Sequence, residues 1–254
     1  MKKIKYLAII FLSIISFYYT EQIALYVKSK NPLIQEIESN KDELYVNSIN
    51  SELIDELYII PGINGKEVNV NSSYLTMKEL NTYNESKIVY NQISPSISLS
   101  NNKDRIIIRG NPKKRQVSLI FDKESILTNY LTKNNYQYNV LINNEKYSNN
   151  YEMINNSNNK TTFNNINSYL TNNNLNKELC YITNKSLCKD SYIFKESLII
   201  NHSNISTTIN KITSGEIILI KDTITLNELE LILNKIKSSD LTIVYLSKLI
   251  SETN

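Results

Sequence analysis

The chain has 254 residues and a formal net charge of +3, with 41% hydrophobic and 21% charged residues. Four glycines cannot supply a dinucleotide fingerprint or a phosphate loop, and neither pattern occurs. One histidine and two cysteines rule out a four-ligand structural zinc site and any metal held by two histidines, so a metalloenzyme would have to use carboxylates.

Asparagine (39 residues) is interleaved with Ile, Leu and Tyr in regular periods, so a packed core is expected rather than a low-complexity tract. Lys outnumbers Arg 25 to 3. The three arginines, Arg105, Arg109 and Arg115, flank one short strand and form no arginine–aromatic stripe. No nucleic-acid partner is predicted.

Met1–Lys5 is basic, and Tyr6 to Tyr19 is an uninterrupted apolar run. The run is about 14 residues, shorter than the ~20 that span a bilayer as helix. Thr20, Glu21 and Gln22 interrupt it, and apolar character resumes from Ile23 to Val27. No small residues mark a cleavage site and no cysteine follows. The expectation is an uncleaved signal anchor over residues 1–27: a single-pass cell-membrane protein with its C-terminal domain extracytoplasmic. A buried N-terminal helix is the alternative.

Residues 28–112 read as an extracytoplasmic stalk and pre-barrel segment, an irregular α+β region. Pro32 to Ile37 has helical spacing, and Ile59 to Val68 is turn-rich and ends in a short strand. Residues 71–90 suggest a helix, and Ile106 to Gly110 a strand. From Lys113 the pattern changes. Apolar runs (Val117 to Phe121, Tyr138 to Ile142, Leu179 to Ile182, Ser197 to Ile200, Glu216 to Ile220, Leu241 to Leu246) alternate with amphipathic stretches. Continuous apolar runs fit parallel strands buried on both faces. The clearest helix is Thr225 to Lys237, where Leu226, Leu229, Leu231, Ile232 and Ile236 make one apolar face. The fold class is therefore α/β. Six apparent strands fall short of an eight-stranded barrel.

Lys114-Arg-Gln-Val-Ser-Leu-Ile-Phe-Asp122 resembles the first strand of the polysaccharide deacetylases, the NodB-homology domain of carbohydrate esterase family 4, where the strand ends in Thr-Phe-Asp-Asp-Gly. Ser214-Gly-Glu-Ile-Ile-Leu-Ile-Lys-Asp222, the Thr225–Lys237 stretch and Leu241-Thr-Ile-Val-Tyr-Leu-Ser-Lys-Leu-Ile250 are similar to that family's C-terminal unit, with its Leu-His-Asp strand end. Asn139 to Tyr147 stands where the family has a Thr-Phe-Phe strand. Ile60 to Val68 is similar to the pre-barrel region of some membrane-anchored relatives. The resemblance spans residues 113–252. It implies a shortened, deformed (β/α) barrel of NodB type over residues 113–254.

The family hydrolyses N-acetyl groups with a metal-bound water, an aspartate base and a histidine acid. Asp122 matches the base, and the adjacent ligand position is Lys123. The family's His-x-x-x-His pair is absent: Lys160 to Asn165 holds no histidine. The Arg-Pro-Pro-Tyr-Gly segment survives only as Cys180 to Asn184 or its surroundings. The catalytic histidine position is Lys221, followed by Asp222. The resemblance thus implies a vestigial site at Asp122 and Asp222, no cofactor, and loss of the family metal such as zinc. Lys123 and Lys221 either neutralise Asp122 and Asp222 without metal or point to solvent on loops. The leading expectation is a degenerate homologue facing a cell-wall glycan such as peptidoglycan. The alternatives are a metal-free N-deacetylase using Asp122 and Asp222, and a non-enzymatic scaffold.

His202, in Asn-His-Ser-Asn after a strand, has no evident Cys or Ser partner and reads as an exposed loop residue. Cys180 and Cys188 would form a disulfide outside the cell or remain free buried thiols. The 18 tyrosines invite a sugar-stacking reading, although tryptophan is absent.

Overall fold

A computed structural model of the protein describes residues 15–16, 18–20, 30–175, 179–184, 186–188 and 191–253. From residue 30 the helices and strands run α1 (Pro32–Asn40), β1 (Glu52–Ile54), β2 (Tyr58–Ile60), β3 (Gly65–Val68), α2 (Val70–Met77), β4 (Tyr90–Ile93), β5 (Ile106–Ile107), β6 (Gln116–Phe121), α3 (Ile126–Lys133) and β7 (Asn139–Ile142). They continue with β8 (Glu152–Asn155), α4 (Lys160–Asn172), β9 (Leu179–Tyr181), β10 (Tyr192–Phe194), β11 (Leu198–Ile200), α5 (Ile205–Thr208), β12 (Ile217–Ile220), α6 (Leu226–Ser238), β13 (Thr242–Ile243) and α7 (Leu246–Ile250). The chain divides into two compact units, one of residues 1–47 and 65–93, the other of 48–64 and 94–254.

In the smaller unit, β3 and β4 form an antiparallel pair from Gly65↔Ile93 to Val68↔Tyr90. Helix α1 starts at an asparagine cap, Asn31, with Pro32 in its first turn, where the missing N–H has no intrahelical acceptor to lose. Leu33 and Ile37 of α1 pack with Met77 and Ile88 in a small core.

The larger unit holds two sheets. One is parallel throughout, in the order β11-β12-β6-β7-β8. Strand β13 lies parallel along the N-terminal end of β6, and β7 takes its C-terminal end. The other sheet runs β1-β2-β5-β10-β9, antiparallel only between β1 and β2. Side chains alternate with the period of two expected of strands. On β6, Val117, Leu119 and Phe121 pack with the helices through Leu131, Ile166, Leu229, Ile232 and Ile236. Ile120 points the other way, into an interior shared with Leu141, Ile154 and Leu219 and with Ile59, Ile107 and Phe194 of the second sheet. Both faces of β6 are therefore buried, which is why it reads as an unbroken apolar run.

Several expectations need correction. Strands β8 and β10 complete the two sheets and were not among the six apolar runs. The run from Leu241 to Leu246 is only a two-residue strand, and Leu246 already begins α7. The helix expected over residues 71–90 stops at Met77, and Tyr90 begins β4. Strands β1, β2 and β5, read as pre-barrel, belong to the second sheet and share a compact unit with residues 113–254. Among the described residues no helix is long and apolar enough to cross a membrane. The anchor expected over residues 1–27 lies outside the described residues, apart from 15–16 and 18–20.

Helix α7 closes the N-terminal end of the strands, burying Leu246, Leu249 and Ile250. Inside, Asn139 donates to Ser118 Oγ at 2.7 Å and Leu119 O at 2.8 Å, and its Oδ1 accepts from Leu246 N at 2.9 Å. A buried amide is thus satisfied on both sides, as its desolvation requires. Lys114 Nζ donates to Lys248 O and Ser251 O, placing a cation on the free carbonyls at the end of α7. Burial and the nearby Lys248 lower its ammonium pKa. Beside β12, Arg109 reaches the buried Glu216 at 3.0 Å. Gly215 has φ +91°, and a Cβ there would lie 2.3 Å from Gly110 O, so only glycine fits.

Candidate functional site

Parallel pairing of β6 with β12 sets Phe121 opposite Ile220, so the next residues of both strands emerge side by side at their C-terminal ends. In open and closed α/β sheets this is the end where ligands bind. Lys221 N still donates to Ile200 O at 2.9 Å, holding Lys221 in the ladder. Its Nζ lies 2.9 Å from Asp122 Oδ2 and 3.2 Å from Oδ1. Lys123 Nζ lies 2.7 Å from Asp222 Oδ2. The pairs are exchanged between strands: the lysine that follows β12 holds the aspartate that follows β6, and the reverse. The hydrogen bond to Asp222, and then its charge, raise the Lys123 pKa.

Local sequence fixes where these loops turn back. Directly after Lys123 and Glu124, Ser125 caps α3, its Oγ accepting from Leu127 N while Thr128 Oγ1 accepts from Ser125 N. After Asp222, Thr225 and Glu228 make a capping box for α6. Each loop is therefore only a few residues long, and the four charged side chains stay over the strand ends.

Two clefts meet there. One, of about 740 Å³, is lined by Asp122, Asn201, His202, Ser203, Lys221, Asp222 and Thr223. The other, of about 510 Å³, is lined by Asp122, Lys123, Glu124, Asp222 and the β7 end with Asn143, Asn144 and Lys146. Asp122 and Asp222 border both. Two tyrosines lie near this site: Tyr151 lines the second cleft, and Tyr181 feels the charge of Asp122. Tyr181 OH donates to Glu196 Oε2 at 2.7 Å, and burial followed by that hydrogen bond raises its phenol pKa far above normal. Tyr151 is raised in the same way by burial and by Glu124.

The donor set does not fit the family metal. Both aspartates already hold ammonium groups, and the four side chains sum to no net charge. Among the described residues no cluster of three or more His, Cys, Asp or Glu could hold a metal ion. The stretch from Lys160 to Asn165 forms the first turns of α4 on an Asn159 cap, with Asn165 donating to Glu145. Cys180, on β9, is bonded to Cys188 across a Cα–Cα distance of 6.2 Å. Tyr147 and Tyr169 stack on one another with centroids 3.6 Å apart, which covers one face of each ring.

Sequence reasoning missed the partner of His202, whose Nδ1 lies 2.7 Å from Glu228 Oε1. The only available signal was indirect: Thr225-x-x-Glu228 marks a capping box, and a strand end beside it places a loop histidine nearby.

No family model matches the chain. Over 94 residues it is 34% identical to an uncharacterized protein, YlxY, of Bacillus subtilis (strain 168). That match takes in 37% of this chain and 30% of the relative's length. A solved structure of a CE4 family pseudoenzyme from Bacillus anthracis is similar with a TM-score of 0.52 at 16% identity, covering 87% of this chain and 96% of that one. A mutant of that pseudoenzyme with restored enzymatic activity is similar with a TM-score of 0.51 at 15% identity, over 87% of this chain and 99% of that one. The chain has the NodB-type α/β fold of the carbohydrate esterase family 4 polysaccharide deacetylases.

Proposed function

We propose that the protein is a catalytically degenerate, polysaccharide deacetylase-like component of the cell envelope that binds peptidoglycan or another glycan without metal-dependent hydrolysis. The exchanged pairs Lys221–Asp122 and Lys123–Asp222 carry this reading. Metal-assisted hydrolysis needs a Lewis acid at the strand ends. Here lysine ammonium groups occupy the aspartates, so the site keeps its folded mouth while lacking ligands for a cation. The likeness to a pseudoenzyme of the same fold supports the reading. The Cys180–Cys188 bond and the basic, then apolar, N-terminal sequence support an extracytoplasmic placement on a membrane anchor.

The test pairs two measurements on the whole chain. Sedimentation with purified peptidoglycan is expected to retain the protein. Acetate release from N-acetylglucosamine oligomers is expected to stay at background with and without added Zn²⁺. Zinc-dependent release would overturn the proposal. Release without metal would favour a hydrolase using Asp122 and Asp222, and failure in both assays would leave a scaffold.

A further inference from the structure

The single histidine stands on the wall of the larger cleft, and a carboxylate holds it there. His202 follows β11, whose Ile200 pairs with Ile220 at the end of β12, so it sits one strand away from Lys221. Its backbone N donates to Thr223 Oγ1 at 3.3 Å, tying the loop to the turn that follows β12. Nδ1 lies 2.7 Å from Glu228 Oε1. Glu228 is fixed in turn, because its Oε2 accepts from Thr225 N at 2.8 Å and from Thr225 Oγ1 at 2.9 Å. These hydrogen bonds, the backbone one foremost, lower the carboxyl pKa and keep it ionised.

An ionised carboxylate can only accept hydrogen bonds. Nδ1 must therefore carry the proton, and whenever the ring is neutral this tautomer leaves Nε2 as a bare acceptor. The ring's side chain is 68% exposed and lines the cleft. The two aspartates of the cleft are engaged by lysines. Nε2 is thus an acceptor that no side chain among the described residues has claimed.

We propose that His202 contacts ligand in this cleft, accepting at Nε2 a hydrogen bond from a hydroxyl of a polyhydroxylated ligand, with Glu228 as its positioning residue. The inference rests on the glycan-binding reading and names the group that reads the sugar hydroxyl. A hydroxyl both donates and accepts. It can give its proton to Nε2 while its oxygen takes a hydrogen bond from Ser203, Thr223 or the Lys221 ammonium, which line the same cleft.

One histidine means one imidazole in the nuclear magnetic resonance spectrum. Long-range ¹⁵N correlation on the full chain at about pH 8, above the reference imidazole value of about 6.5, should show protonated Nδ1 and bare Nε2, and Glu228→Ala should mix the two tautomers. Addition of the N-acetylglucosamine tetramer should move the Nε2 signal. His202→Ala should weaken tetramer affinity about tenfold, the value of one hydrogen bond, while the chain stays folded. If the tetramer binds wild type and His202→Ala equally, or leaves the Nε2 signal in place, this inference falls and the glycan-binding reading stands. If wild type does not bind the tetramer, this inference falls, and the glycan-binding reading falls with it when peptidoglycan sedimentation also fails.

Discussion

Lys221 and Asp122, 99 residues apart in the chain, meet across adjacent parallel strands, with the ammonium within 3.2 Å of both carboxylate oxygens. Their side chains are equally half-buried, 36% exposed each, whereas Lys123 in the second pair is 69% exposed. Partial burial limits solvent screening, so the first pair should carry the measurable share. Lys221→Ala is expected to lower stability by about 0.5–1 kcal/mol, read from the urea midpoint, with the loss shrinking at high salt. Lys123→Ala should shift the midpoint less. An unchanged midpoint for both variants would show that the pairs do not hold the mouth of the site.

The Cys180–Cys188 bond closes a sequence separation of eight residues at the edge of the second sheet. Restricting so short a loop in the unfolded chain stabilises by about 2–3 kcal/mol in the chain-entropy account. Cys180 is buried and its neighbour Tyr181 lies in the interior core, so the anchored strand is one the core depends on. Replacing both cysteines with serine should lower the urea midpoint accordingly, and reductant should do the same to wild type while leaving the double variant unaffected. A wild-type midpoint insensitive to reductant would refute the bond's contribution.

Glu228 links helix capping to pH. Its carboxyl pKa is lowered from the ordinary value of 4.5, chiefly by the Thr225 backbone N–H, with the Thr225 hydroxyl and His202 adding to the effect. A depressed folded-state pKa contributes stability that is present above the unfolded value and is lost as pH falls through the folded one. Glu228→Gln should therefore be less stable than wild type at neutral pH. The gap should close as pH drops below 4.5 and wild-type Glu228 takes up its proton. A gap that stays constant down to full protonation would refute the linkage.

What could be read beforehand follows from where each residue's partners lie. Strands β6 and β12 are apolar runs because both their faces are buried, and α6 is bounded by a capping box and one apolar stripe, all local in sequence. Strand β8 was illegible because two of its four residues, Glu152 and Asn155, are polar and find their partners through tertiary structure. Asn155 donates to Phe163 O and Asn167 Oδ1 on α4, and Glu152 accepts from Ser247 N at the start of α7. The residues of the site could be named from strand ends, but not the crossing of their pairs, which depends on the β6–β12 register. The His202–Glu228 contact, 26 residues apart, was hidden for the same reason.

Asn139 offers the sharpest test of the interior. It is fully buried on β7 and binds three groups: Ser118 Oγ and Leu119 O on β6, and Leu246 N at the start of α7. Asn139→Leu would keep the branched heavy-atom shape and remove every one of those bonds. The backbone N–H of Leu246 would then be buried without an acceptor, a loss that no repacking of apolar atoms repairs. The expected destabilisation is about 2–3 kcal/mol, measured by urea unfolding. Adding Ser118→Ala removes one stranded hydroxyl and should recover part of the loss, because a hydroxyl with no partner is worse than none. Full recovery would mean that the bond to α7 contributes nothing, and that the helix is held over the strand ends by its apolar face, through Leu246, Leu249 and Ile250, alone.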